Sequence, residues 1–297
     1  MAFLLILLRI FPPKTSHNKY MKKRFIAFIL LLVSALGMIF FVNATPAECG
    51  EKPTEAPIDL PIIMYHRTNS SGAGTYNVLP SMLEDDLEWI KTNGYTTIHV
   101  IDLIAFQKYG VPLPPKPIML TFDDGYYSNY VNAFELLKKH NMKAVYAIVG
   151  AYTDEAEKPW KVKFPHLTYA QIKEMHESGL IEIQNHTYDL HKTGNRLGIR
   201  IKKGESVADY EEMLREDFLR NHNQLKEKTG AVCTAVVFPY GVYCKEALVL
   251  MQKIGYNVGI TCNGGINKIT KDSCLLELKR FNRPADESVE KILRKYI

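Results

Sequence analysis

Two adjacent carboxylates, Asp123 and Asp124, stand where the apolar run Ile118 to Phe122 stops and Gly125 opens a turn. A short apolar run bounded by turn signals reads as a buried parallel strand, and Gly125 supplies the backbone freedom needed where such a strand breaks. The pattern recurs after Ile181 to Gln184, where Asn185, His186, Thr187, Tyr188, Asp189, Leu190 and His191 follow. His186 and His191 are too far apart to share a helix face, but a loop after a strand can turn both imidazoles towards one point. With Asp124 they offer two neutral nitrogens and one carboxylate. That set suits zinc or another first-row divalent ion, with positions left for water and substrate. The plainer alternatives are a solvated Asp-Asp-Gly turn and a surface loop in which Asp189 serves as a cap. Placement of both motifs at strand ends favours a site, because ligands and catalytic groups collect at the carboxyl ends of parallel strands.

The elements that must hold these groups alternate. Strand-like runs occur at Ile62 to Tyr65, Thr97 to Val100, Ile118 to Phe122, Ala144 to Val149, Ile181 to Gln184, Ala235 to Phe238 and Asn257 to Thr261. Helical signals lie between most of them. Ser81 and Glu84 form a capping-box pattern ahead of Leu83, Leu87 and Ile90, Thr168 can cap a helix carrying Ile172 and Met175, and the longest helix runs from Ala208 towards Gly230. Asp286 or Ser288 can cap a last one. This alternation over about 237 residues from Pro61 predicts one α/β domain with a parallel sheet, and about seven strands favour a barrel over an open sheet.

The chain's beginning reads as an address rather than as fold. Residues 1–20 are taken as an upstream extension before a second start at Met21. Residues 21–44 carry Lys22, Lys23 and Arg24, followed by an uncharged stretch from Phe25 to Val42, the pattern of a signal peptide or a membrane anchor. Residues 45–60, rich in proline, read as a linker, and 61–297 as the domain. The expected location is therefore extracellular or at the cell surface, with membrane contact only through the amino-terminal segment. Of 37 basic residues six fall in the leader, which leaves 31 against 32 acidic ones. A near-neutral domain without a basic stripe excludes nucleic acid as a partner. The five cysteines show no zinc-ribbon spacing. Buried free thiols are the favoured reading, with a Cys262 to Cys274 disulfide as the alternative.

On Thr121 to Gly125 (TFDDG) and on His186-Thr187 followed by His191, the sequence resembles the NodB-homology polysaccharide deacetylases, carbohydrate esterase family four. Met64-Tyr65-His66, Asn93 to Thr97, Leu113 to Pro117 and Phe238-Pro239-Tyr240-Gly241 extend the resemblance through most of the domain. It implies a distorted (β/α)7-type barrel that removes acetyl groups from an N-acetylglucosamine-containing polysaccharide or peptidoglycan; the chain itself is expected to act as a monomer. The resemblance implies further that Asp124, His186 and His191 hold a divalent metal, zinc first, with cobalt, nickel or iron as the others. Asp123 is then left to take a proton from the attacking water, and the backbone N–H of Tyr240 to stabilise the oxyanion. Pro239, Tyr126 and Trp160 are candidates for substrate contact.

Some positions depart from the family pattern. The second histidine comes one residue later than usual, which resembles the subgroup acting on poly-N-acetylglucosamine. Val237 stands where an arginine normally orients the base, so Arg280 or Arg283 on the last strand is left to approach Asp123. No histidine follows His222 to act as general acid, which leaves His66 or water for that role. A glycan-binding module without activity and a small-molecule amidase are the alternative functions.

Overall fold

Six of the seven apolar runs form parallel strands of one sheet among the described residues, which are 56–159 and 165–296 of this computed structural model; Phe281–Asn282 adds a seventh strand to its main path, and Thr96–Thr97 pairs off that path. The strands of the main path are β1 (Ile62–Tyr65), β2 (Pro117–Phe122), β3 (Ala144–Ile148), β4 (Ile181–Asn185), β5 (Ala235–Val237), β6 (Val258–Ile260) and β7 (Phe281–Asn282). Their order is β6-β5-β4-β3-β2-β1-β7. The seam closes through the segment entering β7: Leu278 bridges Ile260 in parallel, and Phe281 pairs with Ile63 on the other side. A β-carbon at Gly259 would lie 2.2 Å from the Leu276 carbonyl oxygen, so the seam requires glycine there. The sheet is thus the distorted barrel that the alternation predicts. Distortion concentrates between β4 and β5, which share only the pair Asn185 and Val236. There the Gln184 side-chain oxygen accepts from the backbone N–H of Thr234 and Ala235, both at 2.8 Å, replacing ladder bonds with a side chain.

Eight helices of the described residues surround or plug the barrel: α1 (Pro80–Thr92), α2 (Val100–Tyr109), α3 (Phe134–His140), α4 (Gly150–Ala156), α5 (Tyr169–Glu177), α6 (Val207–Thr229), α7 (Lys245–Lys253) and α8 (Val289–Leu293). Strand residues alternate between two cores, as the period of two requires. Ile63, Leu120, Tyr146, Ile183 and Val236 pack outward under the helices. Ile62, Met119, Val145, Val237 and Ile260 fill the barrel with Leu103 and Phe106 of α2 beneath them. Both faces are buried, so the strands read as continuous apolar runs. The alternation has a chemical consequence. Thr121 and Asp123 share the inward parity of Met119, and Arg280 enters from β7 on the same level.

Several local expectations change. Ile58–Leu60, read as linker, is a strand paired antiparallel with Asn267–Ile269, and Leu60 is fully buried. The strand expected over Thr97 to Val100 is only Thr96–Thr97, because Val100 already starts α2. The Ser81 and Glu84 capping box does not form: Leu79 is the N-cap and Pro80 the first helical residue of α1, where a missing N–H costs nothing. Thr168 and Ser288 do cap α5 and α8. The described cysteines, Cys233, Cys244, Cys262 and Cys274, are free thiols. Residues 1–44, Cys49 and Trp160 lie outside the described residues, so their assignments receive no structural account. Among the described residues no helix is long and apolar enough to cross a membrane.

Candidate active site

The three motif loops leave the carboxyl ends of β2, β4 and β5, and each contains a non-glycine residue in left-handed conformation. These are Asp124 (φ 69°), Thr187 (φ 70°) and Tyr240 (φ 58°). Such backbone costs on the order of 1 kcal/mol or more and persists only where surrounding bonds fix it. At Thr187 the fixing groups are visible. The Thr187 N–H donates to Asn185 Oδ1 at 2.8 Å, and Asn221 of α6 donates to the Thr187 carbonyl at 3.0 Å and to Asn185 Oδ1 at 2.8 Å. Asp217, one turn earlier on α6, accepts from the N–H groups of Tyr188 and Asp189, both at 2.8 Å. The loop carrying both histidines is therefore anchored by one helix.

That anchoring brings Asp124, His186 and His191 together, their ligand atoms all within 4.8 Å of one another. Asp124 Oδ1 lies 3.4 Å from His186 Nε2 and 3.2 Å from His191 Nε2, and it is a buried atom without a hydrogen bond. A buried acceptor costs free energy unless something satisfies it, and two imidazole nitrogens beside it make a cation the fitting partner. His186 Nδ1 lies 2.7 Å from the Val237 carbonyl. That contact sets the tautomer, so that Nε2 presents its lone pair inward. One carboxylate and two imidazoles form a donor set that fits a divalent metal ion. Burial raises the Asp124 carboxyl, but the facing imidazole of His186, then that of His191, outweighs burial and holds it well below the ordinary range.

Asp123 has a different partner. Arg280 Nη1 donates to its Oδ1 at 2.7 Å and Nη2 to its Oδ2 at 2.6 Å, a bidentate pair with both residues buried. Arg280 is fixed in turn, with Nε donating to the Thr261 carbonyl at 2.7 Å and Nη1 to Thr121 Oγ1 at 3.1 Å. Burial pushes the Asp123 carboxyl up, yet the charge of Arg280, then of His186, carries it below the ordinary value. The carboxylate stays ionised. Arg283, the other candidate, does not approach it. Its guanidinium binds Asp86 at 2.6 Å, a carboxylate that also accepts from Tyr65 and from the N–H of Val289, so Asp86 ties both Arg283 and the start of α8 to α1.

The remaining candidates surround this centre. The Tyr240 hydroxyl is 3.3 Å from His191 Nδ1, and Tyr152, not anticipated from the sequence, has its hydroxyl 3.4 Å from the same atom. Pro239 is buried. Gly241 faces Cys262, with a β-carbon falling 2.6 Å from the Cys262 backbone nitrogen, so the packing of the two loops requires glycine there. Tyr126 stacks on His166 at 4.8 Å, and the Arg67 guanidinium lies 5.6 Å from its ring centroid, so protein groups already occupy that ring. His166 was unforeseen, and a lone histidine between Pro165 and Leu167 gives no sequence signal. His66 presents a buried Nδ1 without a hydrogen bond, and burial lowers its pKa against the pull of Asp123 and Asp124.

Comparison with known proteins agrees with this geometry. The profile of the family described as polysaccharide deacetylase matches residues 110–259. A poly-beta-1,6-N-acetyl-D-glucosamine N-deacetylase of Escherichia coli (strain K12) is 28% identical over 248 residues, covering 75% of this chain and 37% of that protein. The chain therefore spans little more than a third of the length of that relative. The YxkH protein of Bacillus subtilis (strain 168) is 32% identical over 212 residues, with 71% of this chain and 67% of that one covered. Among solved structures, the BpsB deacetylase domain from Bordetella bronchiseptica aligns with a TM-score of 0.62 at 26% identity, over 77% of this chain and 97% of that one.

Proposed function

We propose that this chain, which belongs to the polysaccharide deacetylase family, is a metal-dependent hydrolase that removes acetyl groups from a poly-N-acetylglucosamine-type glycan. The observation that carries the reading is the division between the two adjacent carboxylates. Asp124 faces two imidazoles, while Asp123 is excluded from that set and kept ionised by Arg280. A site that only held a metal or a sugar has no use for the second, buried carboxylate.

In this reading Asp124, His186 and His191 hold the ion, zinc by the donor set. A divalent ion there lowers the pKa of water and polarises the acetamide carbonyl. Asp123 takes the proton of the attacking water, and the bidentate Arg280 keeps its carboxylate oriented. The Tyr240 backbone N–H stabilises the oxyanion, a contribution of about 3 kcal/mol for one such donor. The proton that Asp123 removes from the attacking water balances the one the departing amine needs, and His66 or water is the group left to carry it there. Arg280 occupies the role that Val237 leaves open, so the missing arginine no longer argues for a binding module without activity. All these groups come from one chain, which fits action as a monomer. The poly-N-acetylglucosamine substrate follows the relative from Escherichia coli, and the basic cluster and uncharged stretch before residue 44 support a reaction at the cell surface or outside the cell.

The test is mass-spectrometric detection of deacetylated product and acetate across a panel of β-1,6- and β-1,4-linked N-acetylglucosamine oligomers, peptidoglycan and small amides, with zinc supplied. Product from the β-1,6 oligomers supports the proposal. Turnover of small amides alone, or glycan binding with no acetate from any substrate, sinks it.

A further inference from the structure

A second group of metal-type ligands lies outside this site. Glu84 and Glu88 are one turn apart on α1, so their carboxylates share a face, and His140 ends the facing helix α3. Their ligand atoms all lie within 4.8 Å of one another. Three features separate this group from an ordinary surface charge cluster. His140 contributes a side chain only 8% exposed, and its Nε2 is buried with no hydrogen bond while standing 3.8 Å from Glu84 Oε1. Glu84 is not engaged in capping α1, whose N-cap is Leu79. His140 also sits in the last turn of α3, where the helix carbonyls favour positive charge.

We propose that Glu84, Glu88 and His140 form a second divalent-cation site, of zinc type, that fastens α1 to α3. One imidazole and two carboxylates with a coordination position left for water match the preferences of zinc and its first-row neighbours, and bind calcium or magnesium poorly because those ions seek all-oxygen shells. Lys139 is the built-in competitor. Its ammonium pairs with Glu84, but the side chain is 63% exposed and can swing into solvent when a cation takes its place. The site would be structural: α3 follows the Asp123-Asp124 loop through the turn Asn129–Ala133, and Asn129 donates to the His66 carbonyl and accepts from the Thr68 N–H.

The inference does not depend on the proposed function, and the experiment keeps the two apart. The full chain carrying His186→Ala, with Asp124→Asn as a second background should the first fold poorly, is stripped with chelator. It is then titrated with zinc by calorimetry, and bound metal is counted after desalting. One equivalent should remain in these backgrounds. Adding Glu88→Gln, an exposed change that leaves the fold alone, should weaken that equivalent at least about tenfold. His140→Gln should do the same, while Lys139→Gln should tighten it. Calcium should not compete. A background chain that binds no zinc, or one whose zinc affinity is unmoved by both Glu88→Gln and His140→Gln, overturns the proposal.

Discussion

Asp123 and Asp124 are neighbours in sequence and opposites in role because the ladder of β2 carries on to the Asp123 N–H, which donates to the Tyr65 carbonyl, and the backbone turns left-handed at Asp124. Asp123 keeps the inward parity of β2 and meets Arg280, whereas the left-handed backbone of Asp124 turns its carboxylate to the two histidines. Removing a single member of the buried pair should be costly, since the partner charge is left without compensation, about 3 to 5 kcal/mol. Arg280→Leu and Asp123→Asn are therefore both expected to lower the urea midpoint, and Asp123→Asn no less, because it leaves the buried Arg280 guanidinium charged beside a neutral amide, whereas a lone Asp123 can take up a proton. Asp123→Asn should abolish acetate release while the zinc stoichiometry is kept, whereas His186→Ala should lose the metal of this site. Equal metal loss in the two variants would refute the assigned split. The metal set was legible from residue types at strand ends. The Arg280 contact was legible only as one of two candidates, because Arg280 and Arg283 lie three apart and nothing local says which enters the barrel.

Scale changes what the sequence can say about elements. Strand positions came through well because both faces are apolar, but for the same reason the inward and outward sets were invisible. Ile62 and Ile63 look alike and pack in different cores. The inward set includes one further acid, Glu182, on β4. It reaches the plug helix α2, where its carboxylate accepts from the N–H of Val100 at 2.6 Å and of Ile101 at 3.1 Å. Burial outweighs those two bonds and pushes its pKa up to about 7 from an ordinary 4.5. The native state therefore holds the proton more tightly than the unfolded chain. Stability from this group is greatest below about pH 4.5, falls as pH rises through the interval to about 7, and stays reduced above it. The slope can reach about 1.4 kcal/mol per pH unit. In Glu182→Gln that decline should vanish. Urea denaturation of both proteins across pH 4.5 to 7.5 reads it, and parallel curves would show that Glu182 does not titrate in this range.

At the scale of the whole molecule, the boundary between address and fold moves towards the amino end. Proline frequency marked residues 45–60 as linker, since Pro46, Pro53 and Pro57 interrupt any helical or strand period. What composition could not show is that a strand of three residues can be held by a partner more than two hundred positions away. Asn267 donates from its side chain to the Leu60 carbonyl at 3.1 Å and to the Lys279 carbonyl at 2.8 Å, so the segment entering the domain is tied to the segment entering β7. Leu60 joins the inner core with Ile62 and Ile98. A chain that starts at Pro61 loses this side chain, worth about 2 kcal/mol of burial, and leaves the polar edge of Asn267–Ile269 unpaired. It should therefore unfold at lower urea than a chain that starts at Glu55. The loss should also reach the site, because Asn267, bonded on both sides of its amide to Lys279, loses its own anchor on the Leu60 carbonyl and fixes the approach of Arg280 to Asp123 less firmly. Acetate release should fall with the shorter chain even under conditions where it is fully folded. Equal urea midpoints and equal rates for the two chains would return residues 58–60 to the linker.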